Sequence, residues 1–334
     1  MWPPFSLALD ALSGSKRALL IGLGGGGDVV GAFALTSLLE QLGTDWIVGG
    51  IAWERSPIDP KAGPRSLQEI HGGRPCGSAA VLADAGTRNA DGVHFSESRM
   101  AGHLGRPTLL LDITRGPIAV ATGLAEAATE LECDLIVVVD VGGDVLAHGG
   151  EPGLASPLCD AIMLSAAAWL ARAETGAAPG PAWQGEVIAA VYGPGCDGEL
   201  TPSEVLERIG GLGAAEALLG AWGLTPEACK LVEAAAEVVP TEASLQAVRC
   251  ARGERGTTHI RSGRRAVELT SLGALTFFFD PVKAVDEAAP LAAAVGPAVS
   301  LDEANEALKA LGVSTELELE RARARGEIDA GARE

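Results

Sequence analysis

The stretch Arg17-Ala-Leu-Leu-Ile-Gly-Leu-Gly-Gly-Gly-Gly-Asp28 joins a short apolar run to a series of glycines. Its first half is typical of a buried strand, and a helix is predicted to begin at Asp28 and to end near residue 42. A second stretch has the same form, because the apolar run Asp134-Leu-Ile-Val-Val-Val-Asp140 leads into Val-Gly-Gly-Asp144. Continuous apolar strands that alternate with helices predict a mainly parallel sheet covered by helices on both faces.

Further strands are predicted at residues 45–53, 108–113 and 186–192, with helices at 118–131 and 157–174. We therefore expect an α/β fold with a Rossmann-like core over residues 1–200. Residues 201–252 are predicted to be a helical insertion, since Thr201-Pro and Thr225-Pro each place a capping residue before a proline at the first helical position. Residues 253–285 are expected to form a β-hairpin and a strand that complete the core, and 286–334 to form C-terminal helices and a tail.

Two segments are expected to lie at the surface. Residues 177–185 are rich in proline, glycine and alanine and are the best candidate for a linker. The charged segment 316–325 is predicted to be an exposed helix or a frayed tail without a functional role.

Composition excludes several classes of function. The chain of 334 residues has 25 Lys and Arg against 44 Asp and Glu, a net charge of −19, which disfavours nucleic acids and anionic membranes as partners. No apolar run reaches the ~18 residues of a membrane span, and the N-terminus lacks the pattern of a signal peptide. The six cysteines form no Cys-x-x-Cys pair, so we expect reduced thiols and a cytoplasmic protein.

The first glycine turn is a candidate ligand site. Gly22, Gly24 and Gly27 satisfy G-x-G-x-x-G between a strand and a helix. The candidate ligand-binding amides are those of Gly24, Gly25, Gly26 and Gly27, and Glu54 follows the second strand where a ribose-binding acid is expected. Asp28, however, would repel a phosphate and suits a cap, a metal or a hydroxyl-rich ligand. NAD(P) is therefore the less favoured cofactor, and a purely structural turn stays open.

The second turn repeats the string Gly-Gly-Asp-Val at Asp144. Because the carboxyl ends of parallel strands share one edge, we expect Asp28, Asp140 and Asp144 to meet there. Such a cluster suits general acid–base catalysis or the binding of Mg²⁺ or Ca²⁺, and His148 and Glu151 on the same loop are further catalytic candidates. The alternative is that these acids only cap turns.

Other polar residues are candidates to bind the ligand. Asp160 faces either the crevice or a helix surface, Asp197 follows the strand at 186–192, and Arg115 could hold a substrate anion. The basic patch at His259, Arg261, Arg264 and Arg265 is either an anion site or a solvated hairpin.

Three motifs resemble those of the domain of unknown function 1152 family. They are residues 24–32 (Gly-Gly-Gly-Gly-Asp-Val-Val-Gly-Ala), residues 140–160 with their Gly-Gly-Asp and Gly-Glu-Pro-Gly-Leu-Ala-Ser-Pro strings, and Phe277-Phe-Phe-Asp-Pro281. The resemblance spans roughly residues 15–285 and implies a Rossmann-like α/β fold. It carries over no catalytic residue.

The leading functional hypothesis is an enzyme, most simply a hydrolase, that acts on a small hydroxyl-rich, phosphorylated or nucleoside-like metabolite. The alternatives are an NAD(P)-dependent oxidoreductase and a non-catalytic metabolite-binding protein. A P-loop and a Gly-x-Ser-x-Gly nucleophile elbow are both absent from the sequence. A homo-oligomer stays open.

Overall fold

A computed structural model describes residues 8–56, 58–174 and 183–328. The strands are β1 (Arg17–Gly22), β2 (Asp45–Ile51), β3 (Ile70–His71), β4 (Arg74–Pro75), β5 (Ala80–Ala83), β6 (Arg88–Asn89), β7 (Thr108–Leu111), β8 (Leu135–Val141), β9 (Glu186–Tyr192), β10 (Leu218–Gly223), β11 (Gly256–Ile260), β12 (Arg265–Leu269) and β13 (Leu275–Phe279). The helices are α1 (Ala8–Gly14), α2 (Asp28–Ala34), α3 (Thr36–Leu42), α4 (Ser96–Leu104), α5 (Gly116–Glu130), α6 (Pro157–Glu174), α7 (Pro202–Ala214), α8 (Pro226–Ala236), α9 (Ala243–Ala251), α10 (Pro281–Glu287), α11 (Pro290–Val295), α12 (Leu301–Ala310) and α13 (Glu316–Ala324).

Nine strands form the main sheet in the order β10-β13-β9-β8-β1-β2-β7-β5-β4. The five central strands from β9 to β7 are parallel, and the strands at both edges are antiparallel. The chain runs outward from β1 through β2 to β7, then returns to β8 on the other side of β1. The order therefore reverses between β1 and β8, which is where open α/β sheets bind ligands.

Both faces of the sheet are covered, because alternate residues of β8 enter two different cores. Ile136 and Val138 pack with residues of α5 and α6, whereas Val137 and Val139 pack with residues of α2, α3 and α8. All four are fully buried. The predicted α/β architecture, mainly parallel with helices on both faces, is confirmed, and the hairpin β11–β12 forms as a separate two-stranded sheet.

Two local predictions are corrected. The single helix predicted from residue 28 to 42 is two helices that meet at Leu35, where the hydroxyls of Thr36 and Ser37 donate to the carbonyls of Phe33 and Ala34. Hydroxyl groups that bond back to the preceding turn bend helices. The segment 201–252 contains α7, α8 and α9, but also the edge strand β10, which pairs with β13. The division of the chain at residues 200, 252 and 285 stays a prediction.

The prediction of an exposed C-terminal segment is wrong. Helix α13 docks against the rest of the chain with Glu316 and Glu320 buried. Glu316 accepts hydrogen bonds from the first turn of α6, and Glu320 accepts from the Trp53 indole at 3.0 Å and from the Gly63 amide at 2.7 Å. Alternating charge along a helix predicts exposure, but these acids instead satisfy buried donors elsewhere in the chain.

Of the segment predicted as a linker, residues 177–182 lie outside the described residues, and 183–185 lead into β9. Within the described ranges, no helix combines the length and apolar character needed to cross a membrane. All six cysteines are free and buried.

Candidate functional site

A cleft of about 460 Å³ opens at the carboxyl ends of the parallel strands, where their order reverses. Its walls are the loops that follow β1, β2, β8 and β9, together with the segment before α9 and the turn of the β11–β12 hairpin. The lining residues are 24–28, 54–56, 58, 141, 144, 156, 160, 197, 199, 240–243, 260–262 and 264. The size lies within the range of small-molecule sites.

The glycine loop after β1 is held close to the end of β2. The Gly26 amide donates to the Trp53 carbonyl at 3.1 Å, and a Cβ on Gly25, whose φ is +78°, would lie 2.8 Å from the same oxygen. The Asp28 carboxylate accepts from the Gly24 amide at 3.0 Å. The chain's own carboxylate therefore occupies an amide that a bound phosphate would need.

Three carboxylates meet beside this loop and form what we call the first acidic trio, Asp28, Asp140 and Asp160. One oxygen of each lies within 4.8 Å of the others. Asp140 is fully buried and Asp160 is 2% exposed, while Asp28 is partly buried. Among the described residues, neither oxygen of Asp140 nor Oδ1 of Asp160 accepts a hydrogen bond from an amide, a hydroxyl or a basic side chain, and both residues contact the carboxyl group of Asp144.

Burial, followed by repulsion from neighbouring carboxylates, raises the pKa of Asp140 and of Asp160 well above the usual value. Burial also raises the pKa of Asp28 to about 7, although the Gly24 amide and Arg55 oppose the shift. Near neutral pH, at least part of this trio holds protons unless a cation compensates its charge.

The second acidic trio is Asp144, Asp197 and Glu199, whose oxygens also lie within 4.8 Å of one another. Here the protein supplies a cation, because Arg265 of β12 contacts Glu199 at 2.8 Å with both side chains buried. Glu199 also accepts from the amides of Ala155 and Ser156. Gly142, with φ at +123°, leaves room for Asp197, since a Cβ there would lie 2.2 Å from that carboxyl group.

The three acids of the second trio titrate differently. Despite burial, Arg265 and the donors around Glu199 lower the pKa of this group to about 2. Burial and the nearby Glu199 raise the pKa of Asp197 to about 7. Burial and four neighbouring carboxylates raise the pKa of Asp144 well above its usual value. An ionised group thus stands beside groups that keep their protons, an arrangement suited to acid–base work.

Arginines surround the mouth of the cleft. The Arg55 guanidinium stacks 4.0 Å over the Trp53 ring and donates to the Gly24 carbonyl at 2.7 Å. Arg261 and Arg264 approach from the hairpin turn, where Arg261 has a φ of +53° and its amide donates to Glu242. Of the predicted basic patch, Arg265 is buried rather than solvated, and Arg261 and Arg264 line the cleft.

Several predicted residues lie elsewhere. His148 is exposed, with Nε2 3.2 Å from the Ala288 carbonyl. Glu151 accepts from the amides of its own loop and pairs with Arg208 at 2.9 Å, and Arg115 is exposed at the start of α5. None of these three predicted residues lines the cleft.

Glu54 does border the cleft, but its carboxylate is buried and accepts a hydrogen bond from the Ser96 amide. Glu97, which the sequence analysis missed, lies fully buried nearby on α4, and neither of its oxygens has a partner among the described residues. A Cβ on Gly50 would lie 2.1 Å from Glu97 Oε1. A glycine pair inside a strand, here Gly49-Gly50, indicates that another group lies close to the backbone, and this is the sequence feature that pointed to the contact with Glu97.

Sequence position marked Arg55 and Asp160 differently. Arg55 comes one residue after Glu54 at the end of the predicted strand, so the same position at the sheet edge also indicates Arg55. Asp160 was predicted with its direction open, and the structure turns it toward Asp28 and Asp140. The first trio therefore contains Asp160 in the place predicted for Asp144.

Comparison with known proteins adds a family assignment. No curated protein matches the chain. Residues 19–324, which include both acidic trios, the glycine loop and the docked helix α13, match the family described as "Protein of unknown function (DUF1152)". Since this match covers most of the chain, the protein belongs to the DUF1152 family.

Proposed function

We propose that the protein is a hydrolase acting on a small, hydroxyl-rich, phosphorylated or nucleoside-like metabolite. The observation that carries the proposal is the pair of acidic trios at one cleft, in which ionised and protonated carboxyl groups stand side by side. Hydrolysis needs both forms, because one group removes a proton from water and another protonates the leaving oxygen.

Asp144 is the best candidate for the proton donor. It lines the cleft, is 5% exposed, and has a pKa raised by its burial and its acidic neighbours. Its carboxyl group contacts the Ser156 hydroxyl at 3.5 Å and the neighbouring carboxyl groups of Asp140 and Asp160. Because no basic side chain pairs with Asp144 among the described residues, its carboxyl group is available to a substrate.

The arginines define the expected substrate. On a chain with a net charge of −19, Arg55, Arg261 and Arg264 bring guanidinium groups to a cleft whose other charged lining residues are acidic. Guanidinium groups bind phosphate and carboxylate oxygens in pairs. Carboxylates within the cleft accept hydrogen bonds from hydroxyl groups, so a phosphorylated sugar or nucleoside fits both sets of side chains.

The oxidoreductase alternative has less support. The Gly24 amide donates to the Asp28 carboxylate, and the Glu54 carboxylate accepts from the Ser96 amide, so neither group is free for a dinucleotide.

The free buried thiols are consistent with a cytoplasmic setting.

The test is a turnover screen with sugar phosphates, nucleoside phosphates and glycosides, read as released phosphate or reducing sugar. We expect Asp144→Asn to lower turnover by about 10²–10⁴. The matched control is Asp302→Asn, the same change of charge at a side chain that is 71% exposed and outside the cleft. Turnover that requires NAD(P) would contradict the proposal, as would ligand binding without any turnover.

A further inference from the structure

The proposed function assigns a proton donor in the second acidic trio but gives the first acidic trio no role of its own. We propose that Asp28, Asp140 and Asp160 bind one divalent cation of the hard, oxygen-preferring class, Mg²⁺ or Ca²⁺, at the floor of the cleft. Its use in catalysis rests on the proposed function, whereas its presence does not.

The spacing of the oxygens fits one ion. The three ligand atoms lie within 4.8 Å of one another. Oxygens on opposite sides of Mg²⁺ are about 4.2 Å apart, and those around Ca²⁺ reach about 5 Å, given the usual metal–oxygen distances. The three carboxylates are therefore spaced within the range for Ca²⁺, and Mg²⁺ requires at most a small shift of their side chains.

A second observation points to a missing positive partner. Asp140 is fully buried, and within the described ranges neither of its oxygens accepts a hydrogen bond from an amide, a hydroxyl or a basic side chain, because its hydrogen-bond contact is another acid, Asp144. Oδ1 of the 2% exposed Asp160 also lacks such a donor. Buried carboxylates are normally hydrogen-bonded, paired with a cation or bound to a metal. Gly24 keeps the space open, because a Cβ there would lie 2.7 Å from Asp28 Oδ2 and 3.4 Å from Asp160 Oδ1.

The second trio contains one compensated carboxylate in the same cleft. Glu199 is bound by Arg265 and by two backbone amides, although Asp197 Oδ1 is also buried without a partner among the described residues. The Arg55 guanidinium lowers the pKa of Asp28 but is directed at the Gly24 carbonyl and at Glu316. Among the described residues, no arginine forms an ion pair with Asp140 or Asp160, so the first trio has the greater need of an external cation.

The position also suits catalysis. Asp28 lines the cleft, so the open coordination positions of an ion there face the substrate. A bound divalent ion lowers the pKa of its water. In hydrolysis the hydroxide of that water joins the electrophilic atom, the substrate bond breaks, Asp144 gives its own proton to the leaving oxygen, and the proton that the water loses restores the Asp144 carboxyl group.

The experiment is isothermal titration of the chelator-treated full chain with MgCl₂, CaCl₂ and MnCl₂, repeated in excess NaCl to screen the surface charge. We expect one saturable site that persists in NaCl. Asp140→Asn and Asp160→Asn should each weaken the affinity at least about tenfold, since even the supporting residues of metal sites contribute that much. The matched control is Asp302→Asn, which removes the same charge from an exposed side chain outside the cleft and should retain the wild-type affinity.

Three outcomes would overturn the proposal: no saturable binding, binding that disappears in NaCl, or an equal loss of affinity in Asp302→Asn and Asp140→Asn. If Asp140→Asn does not fold, Asp28→Asn replaces it, because this carboxylate lies at the edge of the cleft. Binding is measured without turnover, so failure of the hydrolase proposal leaves the result intact. If no cation binds and turnover persists in a chelator, the cation site is rejected while the hydrolase proposal stands.

Discussion

Replacing Arg265 by methionine tests whether the second acidic trio depends on its buried guanidinium. Arg265 is 7% exposed, Glu199 is 3% exposed, and the contact between them is 2.8 Å. Methionine retains much of the side-chain length but removes the charge, which leaves Glu199 ionised and buried beside Asp144 and Asp197. Breaking a buried ion pair from one side costs about 3–5 kcal/mol, and we expect a loss of that size near neutral pH.

The pKa of Glu199 gives a second value for the free energy of unfolding that this ion pair contributes. A fall from 4.5 to about 2 corresponds to about 3 kcal/mol of stabilisation once the group is ionised in both states. Because the pKa in the folded state is the lower one, this contribution is present above about pH 4.5 and is lost as the pH falls toward 2. Arg265 is the largest cause that lowers this pKa, and the variant lacks its share, while the donors from Ala155 and Ser156 remain. The difference in stability between wild type and Arg265→Met should therefore shrink as the pH falls through this window.

The assay is urea denaturation followed by circular dichroism at about pH 7 and about pH 3.5. The double variant Arg265→Met/Glu199→Gln should recover part of the loss, since it removes the unpaired charge. Arg252→Met is the control, because Arg252 is 55% exposed in its pair with Glu233 and such surface pairs contribute about 0–1 kcal/mol. An equal loss at both pH values, or no recovery in the double variant, would refute the reasoning.

Three further predictions concern the cleft and its surroundings. Asp144→Asn should keep or raise the melting temperature while turnover falls, because the amide relieves repulsion; a lower melting temperature with unchanged turnover would show a structural role. Gly25→Ala should destabilise the protein more than Gly26→Ala in urea titrations: both have positive φ, which costs about 1–2 kcal/mol, but only Gly25 would bring a Cβ against Trp53. Glu97→Gln should stabilise the protein by an amount that grows as the pH rises above about 4.5, because burial raises the folded-state pKa and wild-type stability falls as the pH rises. A gain that does not change with pH would contradict this account of Glu97.

The sequence was most informative where a single local pattern decided the outcome. Helix α6 begins and ends as predicted because a proline occupies its first position and apolar residues fill its length. Strand β9 also has its predicted bounds, since a continuous apolar run suits a strand buried on both faces. Strand β10 was missed because it is a partly exposed edge strand with an irregular register at Gly220, so neither apolar continuity nor clean alternation marks it.

The candidate site was predictable to the extent that it follows from topology. Asp28, Asp140 and Asp144 each come at or just after the end of an apolar strand, and parallel strands bring those ends to one edge. His148 and Glu151 are close to these residues in sequence, but their loop leaves the cleft and is closed by Glu151 and Arg208. Proximity along the chain does not set the direction of a side chain once a loop turns away from the sheet.

The sequence by itself therefore determined the class of fold, the edge of the sheet that carries the cleft, and the acidic character of that cleft. Only the tertiary structure decided which carboxylates group together and which of them meet a cation. Glu199 and Arg265 are 66 positions apart, and Trp53 and Glu320 are 267 apart. The charge state of a buried acid depends on its burial and its nearest partners, and these distant segments come together only when the chain folds.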